Sequence, residues 1–196
     1  MVEALGGGVT GESTIIAAMV PEAPLEPGDV GLAPKGEGWF VLNARDARWL
    51  TGDFGAYTRF EGDVRFPQIG VNIGVLEPGR PACYYHGEEE QEDFLVLSGE
   101  CLLVIEGQER RLKAWDFVHC PAFTEHVFVG AGDGPCAILA LGTRLGKDVV
   151  YPRSELAIAH GAGVEKETRN PQEAYANIGE DVPTEYHEGW LPVRDQ

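Results

Sequence analysis

Between residues 39 and 144 the chain alternates short apolar runs with glycine-containing turns, and no helical period of 3.6 is visible. WFVLNARDARWLTG (39–52) predicts a strand pair around a turn, and FGAYTRFEG (54–62) a further strand. FPQIGVNIGVLEPG (66–79) alternates polar and apolar residues and stops at Pro-Gly. The clearest stretch is DFLVLSGECLLVIEGQERRLKAWDFVHCP (93–121). It turns at Ser98-Gly99-Glu100, runs through Cys101–Ile105 and turns again at Glu106-Gly107-Gln108. It restarts towards Leu112 and once more over Trp115–Cys120. HVFVGAGDGPCAILALGTR (126–144) adds two strands around a Gly-Asp-Gly turn. Strands of about 5–7 residues separated by such turns predict an all-β sandwich or barrel.

The flanks differ. Residues 1–38 are rich in Gly and Pro and read as an irregular N-terminal arm; residues 39–146 form the barrel; residues 147–196 form a C-terminal extension. In that extension SELAIAHGA and PQEAYANIG each suit a helical turn or two. The closing EDVPTEYHEGWLPVRDQ reads as irregular, with Trp190 and Leu191 packed on a surface. A length of 196 residues suits one domain.

Charge narrows the partners. The formal net charge of −17 excludes nucleic acid and anionic membranes by repulsion. No apolar run reaches the ~20 residues of a membrane span, and the N-terminus lacks a basic leader, so a cytoplasmic location is expected. The four cysteines, Cys83, Cys101, Cys120 and Cys136, form no C-x-x-C pair, and those in apolar runs read as free core thiols.

Two segments carry chemistry. GRPACYYHGEEEQEDFLVLSG (79–99) resembles the first motif of the cupin superfamily, G-x5-H-x-H-x3-4-E-x6-G. Glu92 and Gly99 fit its end without a gap, His86 takes the first histidine position, and Glu88 takes the second. WDFVHCPAFTEHVFVG (115–130) resembles the second motif, G-x5-P-x-G-x2-H-x3-N, through Pro121 and His126. There Trp115 and Phe123 replace the two glycines and Gly130 replaces the asparagine. Fifteen residues separate Gly99 from Trp115, a spacing typical of compact cupins. The resemblance implies a double-stranded β-helix, or jelly-roll, barrel. It also implies one divalent metal ion per chain (Zn, Fe or Mn), and homodimerisation. By position, His86, Glu92 and His126 match the family's ligands, and Glu88 stands where another histidine is usual.

The residue types point the same way. His86 and Glu88 are two apart, so on a strand both face one side and can converge on one ion. Two imidazoles and a carboxylate with open positions suit Fe(II) and related ions, and a second carboxylate hardens the site. An unpaired Glu92 inside a barrel would cost several kcal/mol, a cost that a cation removes. Alternatives stay open. His86 could be a loop residue, His126 a hydrogen-bonded wall residue, and Glu88 either a fourth ligand or part of a solvated loop. Glu89, Glu90 and Asp93 read as a solvated lip. His119, two before Pro121, and Tyr84, expected on the same face as His86, are the candidate catalytic side chains.

The expected function is a metal-binding cupin, an enzyme of isomerase, dioxygenase, decarboxylase or lyase type acting on a small polar molecule. The alternatives are a non-catalytic cupin that binds a metal or small ligand for sensing or storage, and a barrel that has lost its metal.

Overall fold

The computed structural model describes residues 19–192. An opening hairpin pairs β1 (Leu25–Pro27) with β2 (Leu32–Pro34). Next come β3 (Trp49–Gly52), β4 (Gly55–Arg59), β5 (Ile69–Leu76) and the two-residue β6 (Gly87–Glu88). The central run is β7 (Glu92–Ser98), β8 (Glu100–Ile105), β9 (Gln108–Lys113), β10 (Phe117–Cys120), β11 (His126–Gly130) and β12 (Cys136–Thr143). The chain closes with β13 (Val149–Val150), the helical turns α1 (Glu155–Ala159) and α2 (Pro171–Ala174), and β14 (Val182–Thr184).

The large sheet has the order β10-β7-β12-β5-β4-β3-β14, antiparallel throughout. Opposite it stands the sheet β11-β8-β9. Between them lies the core of Phe94, Val96, Leu103, Val118, Phe128 and Ile138, with Cys101, Cys120 and Cys136 filling it as free thiols. This is an all-β jelly-roll barrel with short helical turns in the extension. No helix among the described residues is long and apolar enough to cross a membrane.

Strand parity decides what faces inward. In β5, Leu76 packs in the inner core while Ile73 and Val75 pack on the outer face, so Asn72 and Gly74 look inward with Leu76. The outer face is not left bare. Trp49, Ile73, Val75 and Ala137 are covered by Leu191, Trp190 and Tyr186 from the extension. On the other side α1, capped by the Ser154 hydroxyl accepting from the Ala157 N–H at 3.3 Å, lays Ala157 against Val104 and Val127.

Two expectations shift. Residues 39–48 form no strand beyond single bridges, and the hairpin is β3–β4 instead. The Asn43 side chain accepts from the Arg45 N–H at 3.0 Å, a local turn that competes with pairing. The closing segment, expected to be irregular, contributes β14, which adds to the sheet edge beside β3. The turn at Gly99 appears where the sequence places it. Its φ is 74°, and a Cβ there would collide with the Pro135 carbonyl.

One ion pair ties the residues before β5 to the end of β12. The Arg144 guanidinium forks onto the buried Glu61 carboxylate at 2.5 and 2.9 Å and donates to the Phe66 carbonyl at 2.7 Å. Hydrogen bonds from Arg144, outweighing burial, hold the Glu61 carboxyl below its ordinary value. The stabilisation is therefore complete above the unfolded carboxylate pKa of about 4.3 and fades as pH falls through the lower folded value. Glu61→Gln is expected to lose about 1–3 kcal/mol at pH 7 and to flatten the acid limb of stability. Urea denaturation from pH 7 down to pH 3 checks this, and an equal loss at both ends would refute it.

Candidate metal centre

Three of the expected ligands meet at one end of the barrel. The ligand atoms of His86, Glu92 and His126 all lie within 4.8 Å of one another. Backbone pairing sets this up. His86 and His126 exchange two hydrogen bonds, N–H to carbonyl at 3.2 and 2.8 Å, which sets their rings 5.2 Å apart. Glu92 opens β7 on the same inward face as Phe94 and Val96, and the Phe94 ring lies 5.1 Å from that of His126. Gly142, opposite Glu92 on β12, carries no side chain that would crowd the carboxylate.

Hydrogen bonding fixes which nitrogens are free. His86 Nδ1 donates to the Tyr84 carbonyl at 2.7 Å, and His126 Nδ1 donates to the Thr124 carbonyl at 3.0 Å. A carbonyl only accepts, so each Nδ1 carries the proton and each neutral ring offers Nε2. These atoms point at carboxylates: His126 Nε2 lies 3.5 Å from Glu92, and His86 Nε2 lies 3.5 Å from Glu88. Backbone carbonyls behind metal-binding histidines orient the rings and raise their basicity.

The electrostatics suit a cation. Burial, reinforced by the nearby Glu88 charge, pushes the Glu92 carboxyl up to about 7. Burial and the neighbouring His86 bring His126 down to about 4. Burial opposes charge on His86 too, but Cys83, Glu88 and Glu92 outweigh it and its pKa lies well above the ordinary value. A neutral His126 keeps its lone pair for a ligand bond, and an ionised Glu92 calls for a positive partner. Two imidazoles and one carboxylate, in a pocket that shields them from water, therefore fit a divalent ion.

The remaining candidates fall elsewhere. Glu88 stands beside His86 but outside the converging set of three. Tyr84 turns away to Phe54 and Tyr175, with ring centroids 5.1 Å from each, because residues 84 and 85 are not strand and the two-residue alternation does not apply. His119 lies on the outer face of β10, half exposed, with Nδ1 2.6 Å from the Asp93 carboxylate. The acidic lip is structural. Glu89 accepts from the backbone of Lys147 and Asp148, and Glu90 from Gly146 and Thr143, so both anchor the loop after β12.

Three neighbours of the site have no signal in the two motifs. Cys83 places Sγ 3.6 Å from His86 Nδ1, the Tyr151 ring lies 5.8 Å from that of His86, and Tyr175 backs Tyr151 at 5.6 Å. Both tyrosines come from the extension, beyond the region any barrel pattern covers.

Residues 72–142 match the family model of the cupin domain. The chain carries a cupin domain. This cupin is similar to solved structures over about half its length. A proposed sugar phosphate isomerase of Acidithiobacillus ferrooxidans is 25% identical over 49% of this chain and 64% of its own, with a TM-score of 0.42. This cupin thus spans under two thirds of that protein. A sugar phosphate isomerase from a cupin superfamily of Silicibacter pomeroyi is 25% identical over 56% and 85%, with a TM-score of 0.49. A cupin 2 conserved barrel domain protein of Salinispora arenicola is 22% identical over 57% and 92%, with a TM-score of 0.45. No curated protein matches the chain.

Proposed function

We propose that this cupin is a metal-dependent enzyme acting on a small polar molecule. The observation that carries the reading is the convergence of His86, Glu92 and His126, with each imidazole locked through Nδ1. A divalent ion held by these three residues would supply Lewis-acid chemistry and open positions for substrate or oxygen. The protein's own part is positional. The backbone bridge between residues 86 and 126 fixes the angle between the imidazoles, Phe94 and Tyr151 exclude water from their faces, and Glu88 offers a second carboxylate at the rim. Fold alone does not choose among isomerase, dioxygenase, decarboxylase and lyase chemistry.

The test has two readouts on one preparation. Protein purified under metal-replete conditions is expected to hold one divalent ion per chain by elemental analysis. Loaded with Mn(II), it is expected to relax bulk water protons strongly, as an ion with an exchangeable water does. No stoichiometric metal defeats the reading; bound metal without exchangeable water leaves a storage or structural role in its place.

A further inference from the structure

A second polar site lies on the strands that precede the motifs. In β4, Ala56 packs on the outer face, so Tyr57 and Arg59 lie on the opposite face of the sheet, Tyr57 half-buried and Arg59 exposed at the cavity mouth. Arg59 pairs in register with Asn72 of β5, itself inward-facing beside Gly74 and Leu76. These residues line a cavity of about 360 Å³ that also takes in Cys83, Tyr175 and Asp181. The cavity reaches the back of the candidate metal centre, since Cys83 Sγ lies 3.6 Å from His86 Nδ1.

Arg59 is held in place and electrically available. Its guanidinium sits over the Tyr57 ring at 5.2 Å, and the Tyr57 hydroxyl donates to Asp181 at 2.8 Å. Among the described residues Arg59 has no carboxylate within ion-pair distance, and the Asn72 amide has no hydrogen-bond partner. Arg144 makes the contrast, because Glu61 and the Phe66 carbonyl already occupy its fork. Gly74 keeps the floor open, since a Cβ there would meet nothing within 4 Å.

We infer that this cavity binds a small organic monocarboxylate, with the carboxylate on Arg59 and Asn72 and the apolar remainder against Phe54, Leu76 and Tyr175. The guanidinium and the amide supply donors of matching geometry for a carboxylate. Arg59 is the one basic side chain lining the cavity, and the Asp181 carboxylate across from it repels a second negative charge, which disfavours a dianion such as phosphate. The site does not require a metal at His86.

Fluorine NMR with 4-fluorobenzoate, 4-fluorobenzamide and 4-fluorobenzylamine tests it on the full chain. The acid is expected to bind saturably and at least about tenfold tighter than the amide or the amine. Arg59→Met is expected to weaken the acid about tenfold or more while leaving the amide unchanged. Asn72→Leu lowers acid affinity from the other strand, and Gly74→Leu fills the cavity and blocks acid and amide together. Unchanged melting temperature shows that a variant is folded; if one fails to fold, the others decide. Equal binding of acid and amide, tighter binding of the amine, no saturable binding of the acid, or full acid affinity in folded Arg59→Met overturns the inference.

Discussion

His126→Ala is expected to abolish stoichiometric metal retention, whereas His119→Ala leaves it intact. His126 is 2% exposed, its Nε2 faces Glu92 at 3.5 Å, and its Nδ1 is committed to the Thr124 carbonyl. Removing it takes one of three converging donors and leaves a void that no neighbouring donor fills. The loss should exceed the roughly 10–100-fold that changes to residues hydrogen-bonded behind a ligand cost. Glu92→Gln should act similarly, because an amide oxygen lacks the charge that offsets the ion's desolvation. Glu88→Gln is the informative intermediate. Glu88 touches the His86 ring from outside the converging set, so its loss should lower affinity by about 10–100-fold, as for other residues that support a ligand without binding the ion. His119 shares the family motif's neighbourhood but bonds Asp93 on the outer face, so it serves as the matched control. Metal content after dialysis against a weak chelator reads all four variants. Retention by His126→Ala, or loss from His119→Ala, would move the site elsewhere.

How far the site can be read from sequence depends on what each residue answers to. The strands between 93 and 143 are legible because glycine turns punctuate them and alternation marks the inward face. Glu92 separates from its acidic neighbours for the same reason, since it opens a strand whose next inward residues are Phe94 and Val96. Glu89 and Glu90 are less legible. Their partners are backbone amides and a hydroxyl more than fifty residues onward, and no local pattern encodes them. Tyr84 misleads because alternation holds only where the chain is extended, and residues 84–85 are not.

The second motif shows a deeper limit. Trp115 and Phe123, which stand where the family pattern has glycine, adopt φ values of 75° and 63°. The backbone keeps the left-handed turns that glycine would take without strain, at about 1–2 kcal/mol for each bulky residue. Conformation is thus preserved although residue identity is not. At Phe123 the reason is visible: its N–H donates to the Glu88 carbonyl at 2.5 Å and fixes the strand that carries Glu88. Arg59 and Asn72 lie beyond any motif because the strands that bear them precede the segments that carry the candidate ligands. Their juxtaposition is a matter of register, which sequence alone leaves open.

Trp49→Ala is expected to lower stability by about 3–5 kcal/mol, the range for removing a large buried aromatic side chain. Trp49 is fully buried in β3, on the outer face of the large sheet. Its ring centroid lies 5.0 Å from that of Trp190 and 6.0 Å from that of Tyr186, and its Nε1 donates to the Ala44 carbonyl at 2.9 Å. The substitution removes apolar burial, opens a cavity between sheet and extension, and leaves a carbonyl without its donor. Collapse is restricted, because β14 holds the extension to β3 through backbone pairing at the same residue, Thr184 opposite Trp49. A urea titration should show a lower midpoint with the slope unchanged, and the melting temperature should fall by roughly 10 °C. The variant matters for function because β3 braces β4, the strand that presents Arg59. If the extension is an integral layer of the fold, Trp49→Ala weakens the whole cooperative unit, and probes of the barrel and of the extension melt together. A loss below about 1 kcal/mol, or separate transitions for the two, would instead make residues 147–192 an appendage, and Asp181, Tyr151 and Tyr175 would lose their standing as fixed walls of the two sites.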